Sequence, residues 1–360
     1  MTPFEEALAA VTAAARPLGA EDVLVARALG RVLAEDLSAR EDLPSFDNSA
    51  MDGYAVRERD LTGASKTAPK SLRVLDTVRA GASPAQSVEP GTAVPIMTGA
   101  PLPPGADAIV MRECAQRVNG TVSVLVAPMP GEHVRRAGED VRRGDPLLAA
   151  GTTLRAYEVA LLCAQGFGTV RAVRRPRAAV LPTGDELGGA LRDSNGPALA
   201  ALLGRWGADA RALPPARDEA AALGDALAAA LEGTDLLVVT GGVSAGDFDL
   251  TRPALEALGV QVVFHKVAMK PGKPLLFGTL GRTLVFGLPG NPVAALLCAE
   301  EFVRPALEGL QGREGVPPSY HLRGVLTDPY PGAKGRRQYL YCSCRREDGR
   351  FLLTPIRPQG

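Results

Sequence analysis

Hydrophobic and polar positions fall into three successive textures along this 360-residue chain. Near the N-terminus, Phe4-Glu5-Glu6-Ala7-Leu8-Ala9-Ala10-Val11 repeats apolar positions at helical spacing and predicts a helix ending before Pro17. Thr2-Pro3-Phe4-Glu5 reads as a capping box, with Thr2 as N-cap, Pro3 at the first helical position and Glu5 reaching back. A second helix is expected around 21–36, and Leu43-Pro44 closes the segment. From 45 to 136 Gly, Pro and short β-type runs (Leu72–Val78, Ala108–Met111, Thr121–Val126) predict a small β insertion. Helical spacing returns at 153–165, so 1–44 and 137–176 are expected to form one discontinuous domain.

From 177 onward short apolar runs alternate with helical stretches. Strands are expected at Ala178–Leu181, Ala208–Leu213, Leu236–Val239, Val260–Phe264 and Leu284–Phe286, with helices at 195–206, 218–232, 249–258 and 292–310. That alternation predicts a doubly wound α/β domain over 177–312, built on a parallel sheet. Gly312–Pro318 reads as a linker, and Arg337–Cys344 with Arg350–Ile356 predict a small C-terminal β unit within 313–360. The expected fold class is therefore a multidomain α/β protein.

Composition narrows the function classes. Forty Lys+Arg balance forty Asp+Glu, so nothing supports nucleic-acid binding through bulk charge. No apolar window approaches the ~18 residues a membrane span needs. Acids follow Met1 where a signal peptide carries cations, and five cysteines without a CxxC speak for reduced thiols in the cytoplasm rather than for zinc or disulfides. Only six residues are lysine, and three of them, Lys266, Lys270 and Lys273, share one short loop. Where Arg has replaced Lys almost everywhere, that loop points to a need for the compact ammonium.

In open α/β sheets ligands bind beyond the carboxyl ends of the strands. The loops there read Pro182-Thr183-Gly184-Asp185-Glu186, Thr240-Gly241-Gly242-Val243-Ser244-Ala245-Gly246-Asp247-Phe248-Asp249 and Gly287-Leu288-Pro289-Gly290-Asn291-Pro292. The Gly241-Gly242 turn offers unhindered N–H groups, and Asn291-Pro292 opens a helix, so both are anion-binding elements. Lys266, Lys270 and Lys273 add point charges for a phosphate or another tetrahedral oxyanion. Glu186 and Asp249 supply hard oxygens for a divalent cation, Mg²⁺ by preference. Each element alone has an ordinary role: a tight turn, a helix cap, solvated lysines, an exposed acid. What points to a polyanion pocket with a metal is that all fall at one end of one inferred sheet. Ser45–Ala55 reads as an ordered loop, as do Ile96–Pro101 and Arg135–Asp140, for which an Asx-turn network without chemistry is an equal alternative. Packing is the simpler role for His265.

The motifs FDNSAMDGYAVR (46–57), IMTGAP (96–101), GED (138–140), TGDEL (183–187), TGGVSAGDFD (240–249), KPGKP (270–274) and GLPGNPVAA (287–295) resemble the MoeA family of molybdopterin molybdenumtransferases, to which the gephyrin E domain also belongs. The likeness runs from the N-terminus to about residue 310. It implies an elongated, four-domain subunit that dimerises and inserts molybdate into adenylylated molybdopterin, releasing AMP, with Mg²⁺ assisting. It implies that Lys270 and Lys273 hold molybdate or the pterin phosphate, that Glu186 and Asp249 serve the metal, and that Thr183, Gly241, Gly242, Ser244, Gly290, Asn291 and Pro292 hold the pterin ligand. The family's functional positions also map onto Asp52, Thr98, Asp140, Asp218 and Lys266. A molybdopterin adenylyltransferase and cofactor-accepting enzymes are the partners it suggests.

Two departures bear on the oxyanion end. Where the family has Gly-Arg-x-acid-aromatic-x-Arg, Gly335–Tyr341 carries Gln338 for the acid and Tyr341 for the last Arg. The family also continues past a stretch like Pro358-Gln359-Gly360 into a serine-bearing segment, which leaves a shortened product or an incomplete molybdate site as the two expectations. Two other functions stay open on the residues: a non-catalytic binding or scaffold protein, and an adenylyltransferase that shares only the α/β part.

Overall fold

The computed structural model describes residues 1–75, 86–187, 191–242, 250–313, 322–332 and 335–356. They fall into two compact units, one of Asp36–Ala149 with Ala164–Gly166, the other of the rest of the chain.

In the second of these, a six-stranded sheet is built from β1 (Arg177–Pro182), β2 (Asp209–Ala212), β3 (Leu236–Thr240), β4 (Gln261–His265), β5 (Leu276–Leu280) and β6 (Thr283–Leu288), in the order β2-β1-β3-β6-β5-β4. Strands β2, β1, β3 and β6 run parallel, and β5 runs antiparallel to both β6 and β4. The expected all-parallel sheet is thus mixed. Strand β5 escaped notice because its apolar run follows Pro274 directly and returns through the left-handed Gly281 (φ +57°).

Side chains of β1 and β3 alternate between two cores, which is why both strands read as unbroken apolar runs. Ala178, Val180, Leu236 and Val238 join Phe277, Phe286 and the helices Asn195–Arg205, Pro292–Cys298 and Arg304–Leu310 on one face. Ala179, Leu181, Leu237 and Val239 join Leu223, Leu227 and Leu255 of helices Ala220–Leu231 and Thr251–Ala257 on the other. Between Cys298 and Arg304 the helix passes through a π turn, Ala299–Val303, so the expected continuous helix is interrupted.

The helix Phe4–Ala14 packs Phe4, Ala7 and Val11 into the first of these cores. Its N-cap is Pro3 and no side chain caps it, so the capping box does not form. Thr2 instead engages the lysine loop through its backbone, donating to Lys266 O at 2.9 Å and accepting from Ala268 N at 2.9 Å. Glu5 turns to Arg337, 2.7 Å away. The helix expected at 21–36 is also absent. Ala20–Leu24 is a strand paired antiparallel with Thr169–Val173, followed by the 3₁₀ turn Val25–Arg27. Val23 and Val25 are buried on either side of the exposed Leu24, a period of two, and the left-handed Gly30 (φ +75°) interrupts any longer helix. A three-stranded C-terminal sheet holds Gly324–Leu326, Cys342–Glu347 and Arg350–Pro355, with Asp348-Gly349 (φ +47° and +76°) as its hairpin turn.

The other unit centres on a six-stranded sheet in the order Ala108–Met111, Gly53–Val56, Thr92–Ile96, Lys70–Val74, Thr121–Val124, Ala115–Val118. Here the loop expected over 45–55 gives way to a strand at Gly53. A Cβ at that glycine would lie 2.0 Å from Val110 O, so only Gly lets the two backbones approach.

Candidate functional site

Four loops gather at one end of the α/β sheet. Strands β1, β3 and β6 all end there. Leu276, the first residue of β5, faces Gly287 near the end of β6, and His265, the last of β4, faces Leu276. The loop carrying Lys266, Lys270 and Lys273 therefore emerges at the same end as the turns after Pro182, Thr240 and Leu288.

The glycine turn is shaped by contact. Gly241 (φ +94°) would place a Cβ 2.3 Å from Thr183 O, and Gly242 (φ +61°) would place one 2.6 Å from Thr251 Oγ1 and 2.9 Å from Thr183 Oγ1. Both positions thus demand glycine for conformation and for space. Thr183 N donates to Thr240 O at 2.8 Å, and Gly241 N to Leu288 O at 3.2 Å. Asn195, at the start of its helix, donates through Nδ2 to Thr240 Oγ1 (3.0 Å) and Gly290 O (2.9 Å), tying the β3 turn to the β6 turn. Asn291 caps the next helix by accepting from Ala294 N at 3.2 Å, with Pro292 at the first helical position.

Together these turns enclose a pocket of about 290 Å³ lined by Thr183, Glu186, Asn195, Thr240, Gly241, Gly290 and Pro292, with Pro182, Leu187 and Leu191 as apolar walls and Arg192, Asp193 and Ser194 as a polar side. Thr240 was read only as the head of its loop, and Asn195 was not among the residues singled out from sequence. The Asp193-Ser194-Asn195 run before the helix was the one signal for Asn195, and it reads equally well as a plain helix start.

Glu186, Asp185 and Asp218 form an acidic edge. Asp218 N donates to Asp185 Oδ1 at 3.1 Å. Partial dehydration, with the nearby charges of Asp185 and Glu186, holds the Asp218 carboxyl above its ordinary range. Hard oxygens that repel one another suit a divalent cation shared with a phosphate-bearing ligand. No three such groups stand within coordination reach of one point among the described residues. Ser244 and Asp249 lie outside the described residues.

The lysine loop is braced from below. Lys266 takes the left-handed conformation (φ +80°), and Gly272 (φ +99°) would place a Cβ 2.6 Å from Cys298 Sγ. Met269–Lys270 pairs in parallel with Arg337–Gln338, and Tyr339 N donates to Lys270 O at 2.9 Å. Lys270 and Lys273 are exposed and do not line the pocket. Arg337 stacks its guanidinium 4.0 Å over the Phe4 ring and also faces Glu5, Glu301 and Tyr339, and Tyr341 is 45% exposed.

In the β-rich unit Asp52 Oδ1 accepts from Thr98 N at 2.7 Å and from Thr98 Oγ1 at 2.8 Å. Those bonds, the backbone one foremost, hold its carboxyl below the usual range. Asp140 is exposed and is fixed by its backbone, N to Leu43 O at 2.9 Å.

Family models match most of the chain: the MoeA N-terminal region (domain I and II) over residues 2–166, and a probable molybdopterin binding domain over 179–309. A molybdopterin molybdenumtransferase of Nostoc sp. is 40% identical over 334 residues, spanning 89% of this chain and 76% of its own length. One from Bacillus subtilis is 35% identical over 366 residues, spanning 98% and 85%. The crystal structure of the molybdopterin biosynthesis MoeA protein from Pyrococcus horikoshii OT3 superimposes with a TM-score of 0.81 at 29% identity, covering 100% of this chain and 91% of that one. The chain belongs to the molybdopterin molybdenumtransferase family, enzymes of molybdenum cofactor biosynthesis.

Proposed function

We propose that this protein inserts molybdate into adenylylated molybdopterin with release of AMP, assisted by Mg²⁺. The observation that carries the reading is the convergence of the glycine turn, the Asn291-capped turn and the lysine loop at one sheet end, beside the acidic edge of Asp185, Glu186 and Asp218. Molybdate is a dianion that must approach an anionic pyrophosphate, so catalysis is chiefly electrostatic and positional. Lys270 and Lys273 offset the charge of the incoming oxyanion, with Lys266 behind them. The N–H of Gly242 orients the ligand, Gly241 N being held by Leu288 O, and Ser244 is assigned to the same ligand. Glu186 and Asp249 would hold Mg²⁺, which when bound screens the pyrophosphate and the leaving AMP; Asp218 adds a third carboxylate to that edge.

The same proposal has the protein act in the cytoplasm as a homodimer in which Asp52, Thr98 and Asp140 complete the site. It divides the chain at 1–44 with 137–176, 45–136, 177–312 and 313–360. A molybdopterin adenylyltransferase supplies the substrate, and cofactor-accepting enzymes receive the product. The test is AMP release from purified protein given adenylylated molybdopterin and Mg²⁺, with and without molybdate. Molybdate-dependent release is expected. Tight binding without release would instead make this a binding protein whose oxyanion end is altered at Tyr341.

A further inference from the structure

Asn195 contributes more to the pocket than a tie between loops. It is 9% exposed, and its amide nitrogen is fully engaged by Thr240 Oγ1 and Gly290 O. Those partners fix its orientation, because turning the amide over would set Oδ1 against the Gly290 carbonyl, acceptor against acceptor. Oδ1 is thereby held in place, buried, with no hydrogen-bond partner among the described residues. An amide oxygen in that state is costly and calls for a donor.

An unpaired acceptor on a residue that lines a pocket discriminates by chemistry once it is reached. Fully ionised phosphate, molybdate and carboxylate groups present only acceptors to it and are repelled. A ring edge bearing N–H supplies the missing bond. Part of the wall agrees: Pro182, Leu187, Leu191 and Pro292 offer apolar surface to a flat heterocycle, while Glu186, Arg192, Asp193 and Ser194 make the remainder polar and Lys270 and Lys273 stand elsewhere.

We infer that Asn195 is a specificity-determining residue: its Oδ1 accepts from the N–H edge of the pterin ring, so the Asn195 side of this pocket takes the heterocyclic end of the ligand. The inference rests on the molybdopterin reading given above. Seating the ring edge requires the side chains that cover Oδ1 to give way.

Equilibrium dialysis of the full chain tests it with three probes: pterin, 1,3-dimethyllumazine (a ring of the same shape with no N–H) and pyrophosphate. Wild-type protein should bind pterin at least ~10-fold more tightly than dimethyllumazine. In Asn195→Ala that preference should collapse toward unity, while pyrophosphate affinity stays unchanged. A preference that survives the substitution overturns the inference. So does an equal loss of pterin and pyrophosphate binding, which would mean a structural tie and nothing more. The wild-type comparison stands even if the variant fails to fold, since a wild type blind to the missing N–H also overturns the inference. Pterin that binds nowhere removes the molybdopterin reading itself.

Discussion

The two ends of the α/β sheet are built on opposite rules. At the amino end the groups that close the sheet are paired with one another. Arg174 forks onto Asp235 at 2.7 and 2.6 Å, and Arg177 N adds a bond of 2.8 Å to the same carboxylate. Asp235 N and Leu284 N close the backbone on either side, and Thr283 Oγ1 donates to Thr234 O at 2.8 Å. At the carboxyl end Asn195 Oδ1 and Thr251 Oγ1 are buried without partners among the described residues, Lys266 sits in the left-handed region, and Asp218 faces two like charges. The same strands supply both ends, so the difference is one of purpose: the amino end anchors the strands, and the carboxyl end keeps polar groups available for a ligand.

The comparison breaks most readily at the glycine turn. Gly241→Ala should cost about 3 kcal/mol or more, from overpacking against Thr183 O and a left-handed backbone. Urea denaturation reads this, and a cost under ~1 kcal/mol would mean that the turn is not fixed by contact. Lys270→Ala should do the reverse, lowering molybdate-dependent turnover by ~10²–10³-fold, the scale for loss of one transition-state charge partner. Because Lys270 is exposed, stability should stay within ~0.5 kcal/mol.

At the amino end Asp235→Asn should cost about 1–2 kcal/mol at pH 7, discounted for the part-exposed Arg174, with turnover per folded molecule unchanged. Dehydration raises the Asp235 carboxyl, but its bonds to Arg174 and Arg177 outweigh this and hold it below the ordinary carboxylate range. A depressed acid stabilises the fold above its unfolded pKa, near 4, and that contribution fades as pH falls through the lower folded value. Denaturation curves of wild type and Asp235→Asn should therefore converge as pH falls through the depressed folded pKa of Asp235.

The smallest expected effect has the opposite sign. Asp218 is held high, so its ionised form disfavours the fold, and stability declines as pH rises through its folded pKa. Asp218→Asn should raise the melting temperature slightly at neutral pH while turnover drops. A lowered melting temperature would show that the acidic edge is not repulsive.

Much of this contrast was legible in the residues. Leu236–Val239 and Ala178–Leu181 read as buried strands because both faces are covered, and the loops beyond them carry Gly-Gly, Asn-Pro and clustered lysines, whose chemistry is local. What was not legible depends on distant partners. Residues 21–36 carry apolar positions compatible with a helix, and pairing with Thr169–Val173 decides for a strand. Thr2 looks like a cap until the lysine loop claims its backbone. Asn195 looks like a helix start until Thr240 and Gly290, 45 and 95 residues away, occupy its amide. Spacing along the chain carries no record of which of two amide atoms is left over.

One measurement bears on the central claim, that the carboxyl end performs the chemistry and the amino end supports it. AMP release should be followed for wild type, Lys270→Ala and Asp235→Asn, each normalised to folded protein, with adenylylated molybdopterin, Mg²⁺ and molybdate supplied. The account predicts wild-type turnover for Asp235→Asn and a loss of at least ~10²-fold for Lys270→Ala. Equal losses in both variants, or full activity in Lys270→Ala, would contradict it.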